Sequence, residues 1–183
     1  DIETYVIHPT GPFASEIMNA EIPPKYKGFI MNLFIGFAVK SIKSLLKQTK
    51  MEKTKLAVEN IEFPFEGTLN IIDKLRGPKL LIDTAHFLGG FSGDQYATGE
   101  GLVEATEKYL DRTSEIHLQD FSAGGGADHA ALGTGHFPPE FLDVIRDREF
   151  EGPVVFELSF MQAKESLEYI KKHAPDIELP DVS

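Results

Sequence analysis

Five short, almost wholly apolar runs separated by helical segments are the feature that most constrains the fold of this chain. The runs cover residues 3–7, 55–58, 79–82, 115–118 and 153–156 and read ETYVI, KLAV, KLLI, EIHL and PVVF. Strands without polar alternation are typical of a parallel sheet whose two faces are covered by helices. The sequence therefore predicts an α/β fold of about five β/α units.

The segments between these runs carry apolar residues at helical spacing. We expect a long helix from residue 24 to about residue 50, after Pro23, and shorter helices near residues 67–75, 99–110, 140–148 and 162–172. A polar loop is expected around Gly11, Pro12 and Ser15. The most apolar run, residues 29–39, is too short to span a bilayer and is predicted to be a helix buried against the sheet.

Composition excludes several classes of site. The chain of 183 residues has a formal net charge of -11, which disfavours nonspecific binding to a polyphosphate backbone. It contains no cysteine, so disulfides, thiolate metal sites and cysteine nucleophiles are excluded. The absence of cysteine also fits a cytoplasmic location.

Each apolar run contains, or is followed directly by, a side chain that can bind a metal. These residues are His8, Glu59, Asp83, His117 and Glu157. Singly, such a histidine is more often structural and such a carboxylate more often caps the next helix. Because the carboxyl ends of parallel strands lie on one side of a sheet, five together predict a site for a divalent ion such as Zn²⁺, Mn²⁺ or Co²⁺.

A glycine-rich loop between the fourth and fifth runs carries further polar residues. Asp128 and His129 lie in it, Asp120 before it is expected to cap or position a loop, and His136 and His173 are expected at the surface. A second glycine-rich loop, residues 87–94, is predicted either to close over a substrate or to be a plain connector. Neither loop has a phosphate-binding glycine pattern.

The motifs around these residues resemble a known superfamily. They are VENIEFPFEG at residues 58–67, IDTAH at 82–86, IHLQD at 116–120, HAALGTG at 129–135 and VVFEL at 154–158. In this order they resemble the xylose isomerase-like TIM-barrel superfamily, which includes sugar isomerases and epimerases and the apurinic endonucleases of the endonuclease IV type. The resemblance extends over about residues 5–172 and discriminates poorly between these branches.

The resemblance implies roles for particular residues. Glu59, Asp83, His117 and Glu157 match the ligands of the shared divalent metal (Mn, Zn, Co or Mg), and Glu59 and Glu157 also match the acid/base pair of the epimerases. A further set of three histidines, either contacting substrate or binding additional metal, comprises His8, His86 and His129.

Two departures from the family pattern affect these expectations. Ala127 stands where the endonucleases have an aspartate, and Asp128 is one position out of register, which argues against a full third metal site. A complete barrel has eight strands and about 250 residues. We therefore expect residues 1–175 to be one domain forming the C-terminal portion of a barrel, with a flexible tail at 176–183. A missing N-terminal segment or a second subunit is expected to cover the open edge.

Three functions follow as alternatives. The favoured one is a metal-dependent isomerase or epimerase acting on a sugar or sugar phosphate. The second is a zinc phosphodiesterase acting on abasic DNA, which His8, His86 and His129 support and the net charge of -11 disfavours. The third is a non-catalytic domain derived from the barrel.

Overall fold

A computed structural model of the chain describes residues 4–61, 63–122, 124 and 126–179. Five parallel strands form one sheet in the order β1-β2-β3-β4-β5. They are β1 (Tyr5–Ile7), β2 (Leu56–Glu59), β3 (Lys79–Asp83), β4 (Thr113–His117) and β5 (Val154–Val155). Consecutive parallel strands joined through helices are the arrangement of a β/α barrel, so the predicted partial barrel is confirmed.

Seven α-helices are found in the described residues. They are α1 (Pro12–Asn19), α2 (Pro24–Thr49), α3 (Phe65–Leu75), α4 (Thr84–Leu88), α5 (Gly99–Tyr109), α6 (Glu140–Asp147) and α7 (Phe160–His173). The expected polar loop around Pro12 is wrong, because α1 occupies it. Proline fits the first turn of a helix, where its missing N–H has no partner to lose, and Ala14 anchors the helix in the core.

The chain divides into two compact units, unit 1 (Asp1–Leu81) and unit 2 (Ile82–Ser183). The boundary falls within β3, so the first three residues of that strand belong to unit 1 and the last two to unit 2.

The core of unit 1 forms around one face of α2. Ile35, Ala38, Ile42 and Leu46 are buried and belong to a cluster that includes Ile71 of α3. The opposite face of α2 leaves Phe29, Leu33 and Phe37 exposed. The expectation of burial is therefore wrong for this exposed face, whereas the buried face shares its core cluster with Leu56 of β2.

The length of α2 bears on whether this helix could cross a membrane. Its 26 residues include a window apolar enough to cross a bilayer, with 22% of that window buried. The apolar run at residues 29–39, by itself too short to span a bilayer, is part of this longer helix. A core helix of a soluble protein passes the same test of length and composition, so α2 is weak evidence for a membrane span.

The core of unit 2 includes β4. Ile116 of that strand is wholly buried, as are Phe87, Leu102 and Phe141. In the adjacent pair of strands, Ile116 lies opposite Val154 and His117 opposite Val155.

The two outermost strands of the sheet differ from the expectation of complete burial. Tyr5 and Val6 of β1 and Val154 and Val155 of β5 are exposed. The fifth strand is also shorter than predicted, since Phe156 lies outside it. An outer strand has a neighbour on one side only, which leaves its other edge and part of its surface uncovered.

Candidate metal centre

Asp83 lies where β3 ends and α4 begins, and both its carboxylate oxygens accept hydrogen bonds. Oδ1 accepts from the backbone N–H of His86 at 2.9 Å, which caps α4. Oδ2 accepts from the side-chain amide of Gln119 at 2.7 Å. The helix-capping role of a strand-end aspartate is thus present, and it uses only one of the two oxygens.

His117 ends β4 and turns one ring nitrogen toward two carboxylates. Its Nδ1 lies 3.6 Å from Oδ2 of Asp83 and 3.3 Å from Oε2 of Glu157. Its Nε2 lies 3.5 Å from Oε1 of Glu115, a buried residue two positions earlier on the same strand. A carboxylate behind Nε2 favours the tautomer that keeps a proton there and leaves the lone pair of Nδ1 for a ligand.

Asp83, His117 and Glu157 belong to a closed ring of alternating acids and imidazoles, here called the acid–histidine ring. From Asp83 Oδ1 the ring passes to His86 Nδ1 at 3.7 Å, and from His86 Nε2 to Asp128 Oδ2 at 3.9 Å. It continues from Asp128 Oδ1 to His129 Nδ1 at 2.8 Å and from His129 Nε2 to Glu157 Oε2 at 3.5 Å. Every predicted site residue of unit 2 therefore lies in this ring.

The pKa of Asp128, one of the ring carboxylates, is shifted from its ordinary value. Partial burial by itself would raise the pKa of Asp128, but the hydrogen bond with His129 and the charges of His129 and His86 lower it below its ordinary value overall. The carboxylate is therefore held in its ionised form, beside two of the imidazoles.

Asp120 shapes the loop that carries this part of the ring. The side chain is wholly buried and accepts hydrogen bonds from five backbone N–H groups, those of Phe121, Gly133, Gly135, His136 and Phe137. A side chain at Gly135 would collide with the backbone carbonyl of Phe121, which explains the glycine. Asp120 positions a loop, as expected from the sequence.

In unit 1, His8 and Glu59 form a pair. Ile7 pairs with Val58 in adjacent parallel strands, which brings the following residues together. His8 Nε2 lies 3.3 Å from Oε2 of Glu59, with the glutamate buried and the histidine half exposed. Glu59 is the last residue of β2 and is in register with Leu81 of β3.

The donor set fits a divalent ion. Glu59 of unit 1 and Asp83 and His117 of unit 2 are all buried, and carboxylates and imidazoles are donors that suit a divalent ion. Burying an ionised carboxylate costs free energy unless a cation or hydrogen bonds compensate its charge. A bound cation would therefore stabilise these buried carboxylates.

Two buried polar residues beside His117 were not singled out in the sequence. Glu115 and Gln119 lie two positions before and after His117, and that spacing places side chains on the same side of an extended chain. This two-residue spacing from His117 is the sequence signal that could have found them. His136 and His173 are exposed, as predicted, and His173 stacks on Tyr169.

Comparisons with known proteins identify the family. A family model described as xylose isomerase-like TIM barrel matches residues 34–173. No curated protein sequence matches the chain. A solved structure described as a D-tagatose 3-epimerase-like protein superposes with a TM-score of 0.61 at 17% identity, covering 95% of this chain and 62% of that one.

The chain thus spans less than two thirds of that structure, and the likeness at this identity concerns the fold alone. The family match is the stronger finding, because it covers most of the chain and contains the strand ends at Glu59, Asp83, His117 and Glu157. The chain belongs to the xylose isomerase-like TIM-barrel family.

Proposed function

We propose that this chain is, or is part of, a metal-dependent isomerase or epimerase of a sugar or sugar phosphate. The observation that carries the proposal is the position of His117, whose Nδ1 lies within 3.6 Å of the carboxylates of both Asp83 and Glu157. The epimerase-like description of the solved structure supports the same branch of the family.

In this proposal Glu59, Asp83, His117 and Glu157 hold one divalent ion, Mn²⁺, Zn²⁺, Co²⁺ or Mg²⁺. When bound, the ion would polarise the carbonyl and hydroxyl oxygens of the sugar, which lowers the cost of an enediolate. The remaining chemistry belongs to the side chains.

Glu157 and Glu59 are proposed as the acid/base pair. Glu157 is exposed to solvent and can take a proton from the carbon beside the substrate carbonyl. Glu59, which is buried, would return a proton to the opposite face of that carbon. His129 lies 3.5 Å from Glu157 and would stabilise its negative charge when protonated.

His86 is proposed to contact the substrate. Its ring packs edge-on against Phe91, with centroids 5.7 Å apart, and Phe91 packs in the same way against Phe121. Aromatic faces beside polar groups suit a sugar, which has both apolar C–H surfaces and hydroxyls.

The test is proton exchange. Keto-sugars and their phosphates are incubated in deuterated water with Mn²⁺, Co²⁺, Mg²⁺ or Zn²⁺, and deuterium incorporation is followed by NMR. We expect exchange in the native chain and a loss of about 100-fold or more in Glu157→Gln, since the proton acceptor is removed. Glu104→Gln, on the exposed surface of α5, is the matched control. No exchange across the panel would contradict the proposal.

A second candidate is a zinc phosphodiesterase acting on abasic DNA, and one observation favours it. Although Asp128 is out of register in the sequence, its carboxylate lies 3.9 Å from His86 and 2.8 Å from His129. These three residues would form an additional metal site. The net charge of -11 disfavours DNA binding. Cleavage of an abasic duplex, with two or three zinc ions per chain, would select this candidate over the isomerase.

The proposal also includes a partner that covers the edges of the sheet, and a cellular location. The exposed valines of β5 and the exposed residues of β1 support coverage by a second subunit or by an N-terminal segment. A cytoplasmic location is supported by the lack of cysteine. A non-catalytic domain remains the outcome if neither exchange nor cleavage is found.

A further inference from the structure

Gln119, which has no role in the chemistry proposed above, is bound directly to a proposed metal ligand. It is wholly buried and follows β4 by two residues. Its Nε2 donates a hydrogen bond of 2.7 Å to Oδ2 of Asp83. That oxygen is the one that lies 3.6 Å from Nδ1 of His117.

Gln119 is in turn held by Thr84, the residue after Asp83. The backbone N–H of Gln119 donates to the Thr84 hydroxyl at 2.9 Å. The same hydroxyl lies 2.5 Å from the carbonyl oxygen of Gln119 and 3.2 Å from that of His117, and its single proton can be donated to either. Two consecutive residues, Asp83 and Thr84, thus bind the side chain and the backbone of Gln119.

We propose that Gln119 is a positioning residue, which orients the carboxylate of Asp83 for a divalent cation. The inference rests on the metal-dependent function proposed above. The backbone N–H of His86 holds one oxygen of Asp83 and the Gln119 amide holds the other, so the carboxylate cannot rotate freely. A ligand that is already oriented loses less entropy when the ion binds.

The amide is chemically suited to this task. Its N–H donates a hydrogen bond to one lone pair of Asp83 Oδ2 and leaves the other lone pair of that oxygen available to the ion. Because it is neutral, it does not offset the charge that attracts the cation, as a lysine or arginine would. A glutamate in its place would put two carboxylates side by side in a buried environment.

The test compares Gln119→Met, which has a similar length and no donor, with the native chain. The Mn²⁺ dissociation constant is measured by calorimetry, and the melting temperature is measured without metal. We expect Mn²⁺ binding weakened about 10- to 100-fold, as for other residues that orient a metal ligand. Gln48→Leu, on the exposed surface of α2, should leave binding unchanged.

Gln119→Asn provides a second variant, since its shorter amide keeps the polarity but cannot reach Oδ2 of Asp83. It should also weaken binding. A role in stability alone would lower the melting temperature while the folded variants kept native Mn²⁺ affinity, and that result would overturn the proposal.

Failure of the metal-dependent function is distinguishable from failure of this inference. If the native chain binds no Mn²⁺, the function proposed above fails, and the inference is judged from a crystal structure of Gln119→Met. An Asp83 carboxylate turned away from His117 would support the positioning role. An unchanged carboxylate would overturn it.

Discussion

The acid–histidine ring has a buried half and an exposed half. The side chains of Asp83, His86 and His117 are 0%, 3% and 6% exposed. Those of Asp128, Glu157 and His129 are 38%, 42% and 48% exposed. The same two chemical groups, carboxylate and imidazole, therefore lie in two very different environments.

The difference indicates a division of tasks. In the buried half, charges are screened little by water, so a bound cation has a large effect on them. Asp83 there is also oriented by hydrogen bonds from the His86 backbone and Gln119. In the exposed half, Glu157 and His129 are accessible to solvent, and the proposed function assigns proton transfer at the substrate to Glu157, with His129 beside it. We therefore expect substitutions in the buried half to change mainly metal binding. In the exposed half, apart from the proposed ligand Glu157, we expect substitutions to change mainly turnover.

The largest effect is expected for Asp83→Asn. The amide oxygen of the asparagine can still cap α4, but the buried negative charge that would pair with the cation is lost. Removing one partner of a buried ion pair costs about 3–5 kcal/mol. Mn²⁺ affinity measured by calorimetry should fall by roughly 100-fold or more. Asp176→Asn, an exposed aspartate, is the control. Native affinity in Asp83→Asn would remove the distinction between the two halves.

A smaller effect is expected for Glu115→Gln, which tests the support behind the buried half. The carboxylate 3.5 Å from His117 Nε2 becomes neutral, so the preference for a proton on Nε2 weakens. Mn²⁺ affinity should fall about 10-fold. The ¹⁵N shifts of the His117 ring should show a larger share of the Nδ1–H tautomer, and unchanged shifts would contradict the assigned tautomer.

In the exposed half, His129→Ala should separate binding from turnover. Metal affinity should change by less than about 3-fold, while deuterium exchange should fall about 10-fold or more because an imidazole beside Glu157 is lost. His173→Ala is the matched control, being an exposed histidine of α7. A large loss of metal affinity in His129→Ala would instead favour the additional zinc site.

The smallest effect is expected for Asp128→Asn and concerns stability. Because the pKa of Asp128 is lowered in the folded chain, its ionised form stabilises the fold above about pH 4. This contribution is lost as pH falls through the lowered pKa, so native and variant should converge in acid. Urea unfolding near pH 6 should differ by less than about 1 kcal/mol, since the pair is largely exposed. An equal difference at pH 3 would contradict this cause.

Sequence patterns predicted well those features that depend on neighbouring residues. The five strands and the long helix α2 follow from local apolar spacing, and their bounds agree with prediction to within about two residues at most ends. α1 was missed because Ala14, which anchors it, is buried by residues distant in the sequence that form the core of unit 1. The exposure of Val154 and Val155 was missed because periodicity cannot tell an outer strand from a central one.

The amino-acid sequence alone determined the order of the five strands and the position of the long helix α2, and it placed acids and histidines at the carboxyl ends of the strands. Only the tertiary structure decided which of them meet, for example that Asp128 lies between His86 and His129 and that Gln119 binds Asp83. The physical reason is the separation along the sequence of the residues that interact. Strand and helix periods are set by residues a few positions apart, whereas Gln119 and Asp83 are separated by 36 positions and are brought together by packing.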